Sequence, residues 1–167
     1  MALLGVVSAE SVFETKWAQV KQAIETEAFK LNDDKKVATI EELANANGFK
    51  IESHQVHTED GYILGLWRIP GMIKHEKTGE EDTARLPVLM QHGIEADMMQ
   101  WVYNEPSTAP AFVLARAGYD VWLGNARGNR FSQTHESLDS KKKAFWKFTW
   151  EEQGTKDTPA MIDYIRS

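Results

Sequence analysis

Cysteine is absent from all 167 residues, so disulfides, zinc–thiolate sites and a cysteine nucleophile are excluded. This absence leaves the compartment open. No Asn-x-Ser/Thr sequon occurs, and a glycosylated form gains no support. No apolar run approaches the roughly 18–20 residues of a transmembrane helix. Basic charge is also scarce. Lys and Arg number 19 against 25 Asp and Glu, a net charge of −6, which argues against a nucleic-acid partner because phosphate binding needs a basic surface. The one dense basic run, Lys141-Lys142-Lys143, reads as a solvated helix face. There is no P-loop, no G-x-G-x-x-G and no H-E-x-x-H. Ser140-Lys141-Lys142-Lys143 and Lys77-Thr78-Gly79 formally match S-x-x-K and K-T-G, but in reversed order and with no Ser-Asp-Asn between them, so both are chance matches.

What is present is ordinary for a globular chain: 42% hydrophobic and 26% charged residues. The length suits one domain, which buries roughly 68–70% of its unfolded surface. The start, Met1–Ala9, is apolar, and Val7-Ser8-Ala9 resembles a signal-peptidase site. A full signal has a basic leading region, and no basic residue precedes Lys16, so a short signal remnant and a native terminus both stay open. Phe13, Trp17, Val20, Ile24, Ala28 and Leu31 recur at helical spacing, with Ser11 and Glu14 as a capping box. The polar face is mixed in sign, which suits a helix packed on its own domain better than a membrane-surface or partner helix. Residues 1–37 thus form an apolar start plus an amphipathic helix. Residues 38–167 form the main domain.

Within that domain Thr39–Ala46 reads as a short helix capped by Thr39 and Glu42 and ended by Asn47-Gly48. Phe49–Thr58 and Tyr62–Ile69 read as strands joined through Asp60-Gly61, a hairpin signal. His54 and His57 stand three apart on a strand, so they face opposite sides and cannot easily share a metal. Pro70–Ala84 is a polar, exposed loop. Pro87–Met90 and Tyr119–Leu123 are apolar strands linked by a helix over Ala109–Ala117, the repeating unit of an open α/β sheet. Their following turns, Gln91-His92-Gly93-Ile94 and Gly124–Gly128, lie at the carboxyl edge, where ligands bind in such sheets. Asn129–Ser140 is a polar loop. Ala144–Trp150 concentrates aromatics, read as core ahead of a pocket lining. Thr158 caps a last helix over Pro159–Arg166.

A set of motifs appears in order: Glu59-Asp60-Gly61-Tyr62-Ile63-Leu64, Arg68-Ile69-Pro70, Gln91-His92-Gly93, Trp101, Ala117–Asn129, Phe145-Trp146 and Asp157–Tyr164. Together they resemble the acid lipase family of α/β-hydrolases, over about residues 38–167. The resemblance implies the N-terminal part of an α/β-hydrolase fold, a mostly parallel sheet with helices on both faces. It implies hydrolysis of carboxylic esters of lipids, acylglycerols or sterol esters, through an acyl-enzyme, with no cofactor and no metal. The implied partners are a lipid ester substrate and a lipid–water interface, in an extracellular or lysosomal/endomembrane lumen. It places an oxyanion-hole N–H on Ile94, where the family more usually has leucine, with His92 and Gly93 shaping the loop. Glycine there permits a tight turn and close approach of a carbonyl oxygen. Gly124–Gly128 is expected to be structural and to fix Arg127. Thr158 stands where the family usually has leucine.

The nucleophile elbow G-x-S-x-G, whose acid and histidine follow it, occurs nowhere in the chain. Ser107, Ser132, Ser137 and Ser140 lack its context, and neither His92 nor His135 follows a candidate serine and acid. The expectation is a lipase portion that stops a few residues short of its serine and is inactive alone. The alternative is a non-catalytic, lipase-like module that binds lipid or protein.

Overall fold

The computed structural model describes residues 38–71 and 85–167. The expected apolar start, the helix over 11–31, and most of the 70–84 loop with Lys77-Thr78-Gly79 lie outside the described residues.

Helix α1 (Ile40–Ala46) begins as its sequence predicts. Thr39 Oγ1 accepts the Glu42 N–H at 3.2 Å, and the Glu42 carboxylate accepts the Thr39 N–H at 2.9 Å, so two of the orphan amides of a helix start are satisfied reciprocally. The hairpin follows as β1 (Glu52–His57) and β2 (Tyr62–Ile69), paired antiparallel. Gly61 turns it at φ 88°, a backbone region that favours glycine. Next come β3 (Pro87–Gln91), a 3₁₀ turn at Met98–Trp101, α2 (Pro110–Arg116) and β4 (Asp120–Gly124). The sheet order is β1-β2-β4-β3, and a two-residue strand β5 (Thr134–His135) pairs with the start of β2.

Among the described residues only β3 and β4 pair in parallel; β1–β2, β2–β4 and β2–β5 are antiparallel. The sheet is therefore mixed rather than mostly parallel. The reason is local: the Asp60-Gly61 turn is too short for a crossover and reverses the chain. The βαβ unit read from Pro87 to Leu123 is present.

Period-2 alternation divides the core. On one face Ile69, Val121 and Leu123 pack with α1 and α2 through Ala44, Phe112 and Ala115. On the other, Tyr62, Leu64, Leu66 and Trp122 pack with Phe145 and Met161. Strand β4 is buried at every position, as a central strand covered on both faces must be. Arg68 and Asp120 pair across β2 and β4 at 2.8 Å, and Trp122 Nε1–H donates to the same carboxylate at 2.9 Å.

The C-terminal helix departs from its sequence reading. Thr158 does not cap it. The cap is Thr149, which with Glu152 forms a second capping box. The helix runs as α3 (Trp150–Glu152), a π turn (Gln153–Asp157) and α4 (Thr158–Arg166). Pro159 has no N–H and crowds the carbonyl four residues back. The wide π turn just before it absorbs that misfit, and the Thr158 N–H reaches Gln153 O instead. The aromatic segment before it is only partly core: Phe145 is buried, while Trp146 and Trp150 are 45% and 80% exposed. Among the described residues no helix is long and apolar enough to cross a membrane.

Candidate functional site

The carboxyl ends of β3 and β4 lie side by side because the two strands are parallel, with Gln91 opposite Gly124. The His92 loop and the Asn125–Asn129 loop leave the sheet together and are tied by the His92 ring. The Ala126 N–H donates to His92 Nε2 at 3.1 Å, and Asn129 Nδ2 lies 3.0 Å from the same nitrogen. A backbone amide can only donate, so Nε2 carries no proton. The proton is on Nδ1, which donates to Gly93 O at 2.7 Å. Both ring nitrogens of His92 are thus engaged, and its partners fix the ring's orientation.

The same amides extend inward. Asn125 Oδ1 accepts the Met98 N–H at 3.1 Å and Asn129 Nδ2–H at 2.8 Å, and Asn125 Nδ2–H donates to Gly65 O at 3.1 Å. The buried Ser132 hydroxyl donates to Asn125 O and accepts the Gly65 N–H, each at 3.0 Å. Its Oγ is committed to the scaffold and is no nucleophile. His135 is committed as well: Nδ1 accepts the Ser137 and Leu138 amides, and Nε2–H donates to Asp60 O at 2.9 Å.

Beyond His92 the chain makes a turn closed by the Ala96 N–H on Gly93 O at 3.3 Å. Gly93 is exposed with nothing within 4 Å of where a Cβ would sit. The left-handed residue of the turn is not Gly93 but Glu95, at φ 58°. Non-glycine residues held there cost about 1–3 kcal/mol and concentrate at functional sites. Ile94 is 90% exposed. Its N–H has no partner among the described residues.

Below this rim sits a buried cation. Arg127 is 2% exposed. Its Nη1 and Nη2 donate to the Asp60 carboxylate at 2.7 and 2.9 Å, its Nε donates to Asp157 Oδ1 at 2.8 Å, and its backbone N–H donates to Asp157 Oδ2 at 2.9 Å. Its guanidinium lies 4.0 Å from the Tyr62 ring centroid. Tyr62 O–H donates to Phe145 O. Burial raises the Asp60 carboxyl, but hydrogen bonds from Arg127 and Thr58 outweigh it and leave the group well below the usual carboxylate range. Burial also opposes the Arg127 charge, and its two carboxylate partners restore it and bind the proton harder still. Asp157 is the more buried acid, and there burial wins and pushes the carboxyl up. The sequence pointed to Arg127 but not to Asp60 or Asp157. The Asp60-Gly61 turn and the Asp157–Pro159 run were visible as turn and helix signals, with nothing local to join them.

His54 and His57 do lie on opposite faces. His54 Nδ1 is 3.0 Å from Tyr164 Oη, and His57 Nδ1 is 3.0 Å from Glu136 Oε1. No group of three or more potential metal ligands converges among the described residues.

Residues 40–105 match the family described as the partial alpha/beta-hydrolase lipase region. Lipase member M of Homo sapiens is 39% identical over 145 residues, covering 86% of this chain and 31% of the relative. The chain belongs to the acid lipase family. Two further acid lipases are similar to it. The lysosomal acid lipase/cholesteryl ester hydrolase of Homo sapiens is 42% identical over 127 residues, covering 75% of this chain and 31% of that protein. The gastric triacylglycerol lipase of Mus musculus is 44% identical over 119 residues, covering 71% and 29%. The chain spans about three tenths of the length of the acid lipases it matches.

Proposed function

We propose that the chain is the N-terminal portion of a lipase that hydrolyses carboxylic esters of lipids, acylglycerols or sterol esters. The observation that carries this reading is the exposed Ile94, whose N–H has no partner among the described residues, on a turn anchored through His92. In acyl transfer the carbonyl oxygen gains negative charge as the tetrahedral intermediate forms. A fixed backbone N–H aimed at that oxygen stabilises it by about 2.7–4 kcal/mol. Ile94 is the donor, Gly93 leaves open space for the acyl group, and His92 positions the loop. The lipase names of the relatives support the reaction class. Gastric and lysosomal relatives support an extracellular or lysosomal compartment. The nucleophile, its acid and its histidine are not among these 167 residues, since no G-x-S-x-G occurs.

Two measurements test the proposal. Residues 1–167 alone should take no label from a fluorophosphonate probe, and the longest product of the same gene should label at one serine. In that product Ile94→Pro removes the N–H and should lower kcat about 10²–10³-fold with little change in KM. Ile94→Leu keeps the N–H and should leave kcat near wild type. Equal loss in both variants would remove Ile94 from the oxyanion hole. The second reading, a non-catalytic lipid-binding module, draws on the exposed Trp146 and Trp150. It stands if no gene product reacts with the probe.

A further inference from the structure

The stretch Ser140–Trp150 was not used by the site. It carries Lys141, Lys142, Lys143 and Lys147, all exposed. None of the four makes an ion pair among the described residues. Successive three-residue turns stiffen the segment: Lys142 N–H to Asp139 O, Phe145 N–H to Lys142 O, Trp146 N–H to Lys143 O and Lys147 N–H to Ala144 O. Two nearby acids already have hydrogen-bond partners. Asp139 Oδ1 accepts the Lys141 amide, and Glu152 is folded back on Thr149. Glu151 is the other acid of this stretch.

Two exposed tryptophans flank these lysines. Trp146 Nε1–H donates to Ser140 O at 2.7 Å, and its ring packs on Phe145 and Phe148, so the indole is fixed with only part of its face turned outward and no donor stranded. Trp150 stands 80% exposed at the start of the C-terminal helix. The position matters. A Cβ on Gly128 would meet Phe148 Cζ at 2.7 Å and Trp146 Cζ3 at 2.9 Å, so the aromatic segment rests on the same β4 loop that binds His92 through Ala126. The strip therefore packs on the loop that ties down His92.

We propose that Lys141–Trp150 is a docking surface for an anionic lipid bilayer. The lysines sit among the headgroups, and the Trp146 and Trp150 rings lie at the interface. Lysines near an anionic surface attract it over about a Debye length, and tryptophan partitions to the headgroup level. A duplex nucleic acid fits less well. Its charge extends far past this strip of four lysines, whereas a headgroup layer meets the lysines and the exposed Trp150 ring together.

The test is sedimentation of the full 167-residue chain with vesicles, read without any ester hydrolysis, so its failure and that of the lipase reading are separate. Vesicles of phosphatidylcholine with phosphatidylserine should bind the chain, and phosphatidylcholine alone should bind it much more weakly. Binding should fall as salt rises. The quadruple variant Lys141→Gln, Lys142→Gln, Lys143→Gln, Lys147→Gln should lose at least about tenfold in partitioning, since each lysine near such a surface is worth roughly fivefold. Trp150→Ala, at a fully solvated position, should lose several-fold while melting like the wild type. Unchanged binding by the quadruple variant, equal binding to uncharged vesicles, or tighter binding to double-stranded DNA overturns the proposal.

Discussion

At Arg127 the guanidinium and backbone N–H together reach two carboxylates that lie 67 and 30 residues away in the chain. Asp60 and Asp157 respond to protons in opposite senses. The Asp60 carboxyl sits well below its ordinary value of 3.8, so its contribution is fully present above that pH and is lost as pH falls through the folded value. Asp60→Asn should therefore destabilise the chain by about 1.5–3 kcal/mol near neutral pH. Its melting temperature should converge on the wild type only well below pH 3.8. A gap that closes already at pH 5 would contradict the assignment. Burial raises Asp157 instead, so the folded form holds that proton more tightly than the unfolded one, and mild acidification costs no folding stability through this group. The turn at His92-Gly93 was legible as a turn, because a strand and the turn after it are local. Asp60 and Asp157 were not, since neither the separation nor the pairing leaves a periodic mark.

Elements show the same division between local and distant causes. The capping box at Thr39, the Asp60-Gly61 hairpin and the strand-helix-strand unit each follow from residues within a few positions, and each was legible. The C-terminal helix was legible over Pro159–Arg166, but its cap and the helical turns before it were not, because Thr-x-x-Glu and Thr-Pro signals compete there and the π turn hides the continuity between them. Thr149→Ala should cost about 1 kcal/mol by removing the cap. Thr158→Ala, which loses only the hydroxyl bond to Gln153 O, should cost clearly less. Chemical denaturation of the two variants ranks them, and the reverse order would restore Thr158 as the helix start. The direction of strand pairing was also not legible, because a run of apolar residues does not state its partner.

Across the whole molecule burial is uneven. Strand β4 is buried throughout, while β3, equally apolar at Val88-Leu89-Met90, has no fully buried position. β3 pairs on one side only among the described residues. An apolar edge of this kind invites pairing with another chain. Residues 1–167 in isolation should self-associate with rising concentration in sedimentation velocity, and Leu89→Lys should reduce this. A monomer with a cooperative melt would favour the non-catalytic module. The Arg127 clamp also has a bearing on the order of folding. Its three segments are the hairpin tip, the β4 loop and the helix bulge, and all must arrive before it closes. Its closure belongs after the rate-limiting step, when the chain is already compact. Asp157→Ala leaves the buried Arg127 Nε–H and backbone N–H without their acceptor and should cost about 3–5 kcal/mol. Stopped-flow kinetics should find most of that cost in faster unfolding, with the refolding rate nearly unchanged. The clamp is thus a brake on opening, which sets how long the chain stays folded rather than how quickly it gets there.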